Sequence, residues 1–414
     1  MRVLFLADCP PIGPVTTGFG RVAAHIGKAL TEAGAEVVQV AINHRSGTPP
    51  YPWQFRPTND RDKLGCHGLI QAVRQEDWDL ILGFHDLWVC NLWYLLAKAV
   101  RQQHDKPLIP FYGYFPVDAL AYGADLTRWL PEWAGAATYS EFGRQVIRDA
   151  GYDGPLEVIP HGVDTLPAPT SDIRATLPQR FQDSWIVFRH DVNRPRKRYD
   201  LAIQAFVEFA KDKPLPPDPK APILWLHTGD PGDCLPVRAY YERCLNATGY
   251  AFDQRPLLLT HGSKPGQHPY ADEQTISNIL AGVDCYLQTS DAEGWGLCPV
   301  EAAAAGCPVI VGRHSVHTEL WTGAAAMVEP VGHQGYAFDI PSPIGGEPSK
   351  TVVQYPVLLA RDYAAALESV YAYPAAANRR AARAKARFTS PRFQWGRIET
   401  QFQHWMGLGV LAEA

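Results

Sequence analysis

No two of the eight cysteines in this 414-residue chain are spaced as C-x-x-C, and their positions (Cys9, Cys66, Cys90, Cys234, Cys244, Cys285, Cys298, Cys307) show no paired rhythm. That pattern offers neither a disulfide framework nor a cysteine-built zinc site. Reduced thiols in a cytoplasmic compartment are the simplest reading. Long apolar runs are missing too, since none approaches the roughly 20 residues that span a bilayer. The N-terminal MRVLFLAD lacks a signal peptide's extended apolar region and small-residue cleavage site, and reads as a first β-strand. Nor is there an excess of positive charge: 38 Lys and Arg stand against 43 Asp and Glu, for a net charge of −5. A global field that draws nucleic acid or membrane is thereby excluded, while local basic patches are not. No internal repeat stands out. The absence of a G-x-G-x-x-G fingerprint counts against a dinucleotide-dependent enzyme.

What is present is ordinary globular composition, 46% hydrophobic and 20% charged, in a chain long enough for two or three domains. Short apolar runs alternate with amphipathic ones, which predicts α/β structure with parallel sheets. Strands are expected over residues 3–6, 36–42, 80–82, 108–113, 136–139 and 156–159, with a helix over 18–32 and another starting at Ser140, a natural N-cap. A stretch rich in Pro, Thr, Ser and Asp follows, and then the alternation restarts. The second set of strands is expected over 185–188, 223–227, 257–260, 285–288 and 309–311, with helices over 199–210 and 275–281. The segments are therefore 1–165, a linker over 166–184, 185–394, and an amphipathic C-terminal segment over 395–414. Two doubly wound halves imply a cleft, with the chemistry at the carboxyl ends of the strands.

The most informative stretch is EGWGLCPVEAAAAGCPVI, residues 293–310, with Glu293 and Glu301 eight apart. Gly294, Gly296 and Pro299 argue against one continuous helix. Glu293 is expected on a loop, Pro299 at the start of a helix and Glu301 in its first turn. Bare backbone feeding a helix N-terminus suits an anion such as phosphate. Carboxylates beside it suit polyol hydroxyls, which donate charge-assisted hydrogen bonds to them. Phosphate and sugar together describe a nucleotide-sugar.

This block, with the preceding ISNILAGVDCYLQTS and the upstream EVIPHGVD, resembles the E-x7-E signature and flanks of glycosyltransferase family 4, retaining enzymes of the GT-B fold with two Rossmann-like domains. His161 stands where that family usually has Asn. The resemblance implies that Glu293 contacts donor-sugar hydroxyls near the reacting carbon. It further implies that the backbone of Gly294, Trp295, Gly296 and Leu297 holds sugar or phosphate, and that Glu301 binds the ribose. A charge–dipole role for Glu301 at its helix start is compatible with this. In FRHDVNRPRKRYD, Lys197 matches the cation that grips the diphosphate, and Arg189, Asn193 and Arg196 are open candidates beside it. A solvated basic loop is the plain alternative. Arg and Lys would stabilise the departing nucleoside diphosphate without a metal. Gly18 and Gly20 in PVTTGFGRVAAHI resemble the family's glycine loop, or simply start a helix.

His85 and Asp118 follow strands in the N-terminal half. In the resembled family a His or Asp at such a strand end faces the reacting sugar; an acceptor base is one role for Asp118. A core histidine is the alternative for His85. The resemblance also implies that the N-terminal half binds acceptor, that the C-terminal half binds donor, and that the last helix crosses back to the N-terminal half. Base contacts are expected near Thr260, His261 and Gly262. The Asp77-Trp78-Asp79 triplet resembles the metal-binding Asp-x-Asp of the other glycosyltransferase fold, but its place before a strand makes it a loop. His314 and His317 do not complete a zinc set, and Glu319 resembles the family's acid after the motif. Arg379, Arg383 and Arg387 share one helical face, for solvent, phosphate, DNA or lipid.

The reaction expected is transfer of a sugar from a nucleoside-diphosphate sugar to an acceptor hydroxyl, with retention, no metal and no further cofactor. The acceptor is a glycan, a lipid or a modified DNA base, the last suggested by a resemblance to phage-type enzymes that glucosylate hydroxymethylated pyrimidines. A non-catalytic nucleotide-sugar-binding protein is the alternative of another class.

Overall fold

The structure, a computed structural model, describes residues 1–12, 17–44, 49–58, 61–228, 234–255, 257–260, 272–340 and 349–408, with only the backbone of Ser349. The chain forms two compact units. One comprises Met1–Gly162, Gly335–Gln354 and Pro391–Ala414, the other Val163–Gln334 and Tyr355–Ser390.

The first unit is built on β1 (Arg2–Asp8), α1 (Gly18–Glu32), β2 (Glu36–Ile42), β3 (Gln54–Pro57), α2 (Cys66–Gln75), β4 (Leu80–Phe84), α3 (Leu87–Gln103), β5 (Phe111–Phe115), α4 (Ala124–Thr127), β6 (Gly135–Thr138), α5 (Glu141–Asp149) and β7 (Glu157–Val158). Its seven strands run in the order β3-β2-β1-β4-β5-β6-β7, and each paired neighbour is parallel. Strands β1 and β4 are buried almost throughout, as strands covered on both faces must be. Ser140 caps α5, accepting from Gly143 N at 3.0 Å. The fifth strand starts at Phe111 rather than at Leu108, whose exposure suits the turn before it.

The second unit carries β8 (Trp185–His190), α6 (Tyr199–Ala210), β9 (Pro222–His227), α7 (Val237–Asn246), β10 (Leu257–Thr260), α8 (Glu273–Gly282), β11 (Cys285–Leu287), α9 (Leu297–Ala305), β12 (Val309–Gly312), α10 (His317–Leu320), β13 (Ala326–Val328), α11 (Ala360–Ala372) and α12 (Pro374–Phe388). Its six strands run in the order β10-β9-β8-β11-β12-β13. Tyr199, Phe206 and Phe209 of α6, Tyr241 of α7, and Tyr363 and Leu367 of α11 close its core. Residues 167–184 are tied to this unit: Pro167 O accepts from Ser277 Oγ at 2.5 Å, and Arg174 pairs with Asp284 at 2.6 Å.

Strands β14 (Gly332–Ile340) and β15 (Ser349–Val357) pair as a two-stranded ribbon. Helix α13 (Trp395–Trp405) belongs to the first unit, where it packs on α1. Trp395 stacks on His25 with ring centroids 3.8 Å apart. Glu399 accepts from both His25 and Lys28 at 2.9 Å.

In each sheet the strand order reverses beside the first strand of its unit, between β1 and β4 and between β8 and β11. Such switch points leave a crevice beyond the carboxyl ends of the strands.

Candidate active site

In the second unit, the loops leaving β8 and β11 meet at that switch point. The short β8 loop carries the cations together with Asp191, the β11 loop carries Asp291 and Glu293, and the two are stitched together. Asp291 N donates to Arg196 O at 2.9 Å, and Arg196 Nη1 donates to Ala292 O at 2.7 Å. Arg198, in the left-handed region at φ 52°, pairs with Asp291 at 3.0 Å. Lys197 Nζ lies 2.7 Å from Glu293 Oε1 and 2.9 Å from Asp191 Oδ2. Gln288 Nε2 also donates to Glu293 Oε1, at 3.0 Å.

Burial alone would raise the pKa of Glu293, but the Lys197 and Arg196 charges outweigh it and hold the carboxyl at about 2. Burial likewise opposes the Lys197 ammonium, but Asp191 and Glu293 keep its pKa above the ordinary value. The pair is therefore ionised at neutral pH. The ammonium donates a hydrogen bond to Glu293 and faces Asp191 as an ion pair, which leaves donor capacity for a ligand.

The arginines separate by position. Arg189 is fully buried; its guanidinium donates to Thr289 Oγ1 and to the Lys197 carbonyl and lies over the Tyr199 ring at 4.3 Å. Arg196 keeps 46% of its side chain exposed and lies 3.9 Å from Glu293. Asn193, also buried, donates to Leu235 O at 2.8 Å and pins the loop.

Gly294, Trp295, Gly296 and Leu297 form the turn into α9. Gly296 has φ +87°, and a Cβ there would sit 3.3 Å from Pro299 Cγ and 3.5 Å from His317 Nε2. Only glycine takes that conformation without strain. The helix begins at Leu297, two residues earlier than Pro299 leads one to expect. Pro299 is its third residue, where the missing N–H has no intrahelical partner to lose. Glu301 is its fifth residue, one turn further in than the first turn expected from the motif. Its Oε2 lies 3.1 Å from His190 Nε2. Burial opposes protonation of His190, but Cys298 and Glu301 outweigh it and raise the pKa to about 10.

His190, Cys298 and Glu301 are the group of three among the described residues whose ligand atoms, all within 4.8 Å of one another, could hold a metal. Metal-binding imidazoles nearly always anchor their second nitrogen. His190 Nδ1 is buried without a hydrogen-bond partner among the described residues, and Nε2 is engaged with Glu301, so the trio fits a hydrogen-bonded chain better than a metal site.

His314 and His317 lie in this unit as well, both buried. Burial lowers their pKa values to about 3 and about 4. Glu319 is in α10 and half-buried. Thr260 Oγ1 accepts from Trp225 Nε1 at 3.0 Å; His261 and Gly262 lie outside the described residues. Arg383 and Arg387 donate to the carbonyls of Gly323, Leu320 and Thr322, so the arginine face is largely spent on the chain's own backbone.

In the first unit, His85 directly follows β4 at the other switch point. Its Nδ1 accepts from Asp86 N at 2.8 Å, so the neutral ring carries its proton on Nε2. Phe19 stacks on it at 4.8 Å. Asp118 lies three residues beyond β5, half-buried, with Tyr122 Oη at 3.4 Å. Gly18 and Gly20 form the first turn of α1; a Cβ on Gly20 would fall 2.4 Å from the Cys9 carbonyl oxygen. Pro14, Val15 and Thr16 of that loop lie outside the described residues. Asp8, which belongs to no motif, ends β1: it accepts from Thr17 Oγ1 at 2.6 Å and Asn43 Nδ2 at 3.0 Å, and burial raises its pKa. Asp77, by contrast, pairs with Arg101 at 3.0 Å in the loop before β4, at the opposite end of the strand from His85. Asp8, Asp191, Gln288 and His190 share one signal, a polar residue within a few positions of a strand's carboxyl end.

Solved structures of similar fold span nearly the whole chain. A sucrose-phosphate synthase from Thermosynechococcus elongatus is 16% identical, covers 98% of each chain and has a TM-score of 0.67. Anabaena HepE in complex with UDP is 15% identical over 98% of this chain and 100% of its own, with a TM-score of 0.62. An E. coli structure described as trehalose-6-phosphate bound with UDP-2-fluoro glucose is 12% identical over 98% of each chain, with a TM-score of 0.64. No curated protein matches. Two parallel, doubly wound units with these neighbours define a GT-B fold. The sequence models narrow that class: "Glycosyltransferase Family 4" matches residues 16–165, and "Family 4 Glycosyltransferase in conflict systems" matches 266–402. The chain belongs to glycosyltransferase family 4.

Proposed function

We propose that the chain transfers a glycosyl group from a nucleoside-diphosphate sugar to an acceptor hydroxyl, with retention of anomeric configuration, and that the second unit holds the donor. The observation that carries this is the buried Lys197–Glu293 ion pair at a switch point, flanked by the exposed Arg196 and the Gly294–Leu297 turn. Arg196 and Lys197 grip the diphosphate and stabilise its charge as it leaves. Glu293 Oε1 is occupied by Lys197 and Gln288, which leaves Oε2 to accept from sugar hydroxyls. Glu301, steadied by His190, takes the ribose. Arg189 and Asn193 act indirectly, by holding the Lys197 carbonyl and the loop. No resident metal or cofactor is assigned.

In the first unit, His85 offers a ring N–H as its part in the catalysis and Asp118 serves the acceptor hydroxyl as base. Two of the neighbours named above hold UDP or a UDP-sugar, which makes UDP-sugars the first donors to try. A thermal-shift screen against UDP-, GDP-, ADP- and TDP-sugars tests the donor site. Slow donor hydrolysis separates an enzyme from a pure binder, and activity lost to a chelator would contradict the metal-free reading.

A second acceptor reading, a hydroxymethylated pyrimidine in DNA, rests on the sequence resemblance to phage-type enzymes. Retention on such DNA with a steep salt dependence supports it, and no retention at low salt removes it.

A further inference from the structure

His317 is fully buried at the start of α10, yet one of its two ring nitrogens has no hydrogen-bond partner among the described residues. Its Nδ1 lies 3.1 Å from the Gly312 carbonyl oxygen. A carbonyl only accepts, so Nδ1 carries the proton and Nε2 presents a lone pair. No hydrogen-bond donor among the described residues reaches Nε2. Burial keeps the ring neutral, with a pKa of about 4, so at neutral pH Nε2 is an acceptor and not a cation. The atom abuts the glycine turn, since a Cβ on Gly296 would lie 3.5 Å from it. Glu293 is its strongest charged neighbour, with Lys197 also in electrostatic range. A buried acceptor left unsatisfied is costly, and one placed in a ligand site selects what fills it. The missing partner must bring a proton. Phosphate oxygens at neutral pH are acceptors and would set lone pair against lone pair. A sugar hydroxyl brings the proton.

We propose that His317 Nε2 accepts a hydrogen bond from one hydroxyl of the transferred glycosyl group, next to the hydroxyl taken by Glu293. His317 is thus a specificity-determining contact for the donor sugar. The proposal rests on the donor-site reading of the second unit and adds to it a residue that discriminates among sugars sharing one nucleotide. A site that bonds a specific hydroxyl rejects the analogue lacking it far more strongly than an apolar pocket does.

The test is isothermal titration of the full chain with UDP and UDP-glucose, or with the GDP, ADP or TDP pair if the thermal screen selects one. His317→Asn keeps a donor for the Gly312 carbonyl and removes the distal acceptor, whereas His317→Gln places a carbonyl oxygen near the Nε2 position. His317→Asn is expected to weaken UDP-glucose by about tenfold or more while UDP affinity stays unchanged; His317→Gln recovers part of the loss. On the wild-type protein one monodeoxy UDP-glucose loses affinity by a similar factor, and that analogue loses nothing further on His317→Asn. An unchanged ratio of UDP-glucose to UDP affinity in His317→Asn overturns the proposal. So does a wild-type protein indifferent to every deoxy position, which decides the matter even if the variants fail to fold. A wild-type protein that binds no sugar nucleotide removes the donor-site reading and this contact together; normal wild-type binding with an unchanged variant removes the contact alone.

Discussion

Lys197 sits between two buried carboxylates, Glu293 and Asp191, and either change to the trio leaves a charge without a partner. Lys197→Ala is therefore expected to cost about 3–5 kcal/mol of stability as well as weakening donor binding, readable by chemical denaturation and titration on the same sample. Glu293→Gln removes the charge at nearly constant shape and is expected to abolish transfer while nucleoside diphosphate still binds. The pH dependence has a definite sign. Glu293 falls from its ordinary 4.5 to about 2 on folding, so its contribution is fully present above 4.5 and is lost as pH falls through about 2. Acid unfolding of Glu293→Gln should lack that component. His190 runs the other way: raised from 6.5 to about 10, its contribution is full below 6.5 and is lost as pH rises through about 10. Thermal melts of His190→Gln between those limits should be flatter than those of the wild type.

At the scale of elements, α9 shows how a turn becomes a binding site. Gly296 supplies the left-handed residue that swings the chain from β11 into the helix, and Gly306 at φ +97° ends the helix. Gly296→Ala is expected to cost about 1–2 kcal/mol, and its Cβ, 3.5 Å from His317 Nε2, would crowd the sugar. A fall in sugar-nucleotide affinity larger than the fall in nucleoside-diphosphate affinity is the predicted signature.

Much of this was legible in the chain. Helices α1 and α6 and strands β2 and β10 have the expected limits, because strong periodicity and turn residues mark their ends. The start of α9 was misplaced because proline is tolerated anywhere in a first turn and so marks a neighbourhood, not a residue. Lys197, Glu293 and the glycine turn carry the family motif and could be found by resemblance. Asp191, Gln288 and His190 carry only the weak mark of a strand end, because the contacts that give them a role depend on pairings between distant loops, His190 with Glu301 and Lys197 with Glu293, which have no local signature. Arg189 shows the same limit: its sequence position beside a strand end does not reveal that its guanidinium points into the protein.

At the scale of the whole molecule, two units with separate cores and switch points carry separate parts of the proposed chemistry, donor in one and acceptor in the other. The chain passes between units more than once, and α13 returns to close the first. There Phe402 meets Tyr114 edge-on at 4.8 Å and Trp405 meets Tyr112 at 5.4 Å. Glu399→Ala removes a buried carboxylate that answers His25 and Lys28, and is expected to lower stability by about 1–3 kcal/mol with no effect on nucleoside-diphosphate affinity. No described helix is long and apolar enough to cross a membrane.

The central claim is that the loops after β8 and β11 hold a nucleoside-diphosphate sugar through Lys197 and Glu293. The direct measurement is the thermal shift of wild type and Lys197→Ala across UDP-, GDP-, ADP- and TDP-sugars at matched concentrations. The account predicts that one nucleotide series stabilises the wild type, by about 2.7 kcal/mol at one hundred times its Kd, and that Lys197→Ala needs at least about tenfold more of the same ligand for an equal gain. A wild-type protein that no sugar nucleotide stabilises, or a Lys197→Ala variant that responds as the wild type does, would contradict it.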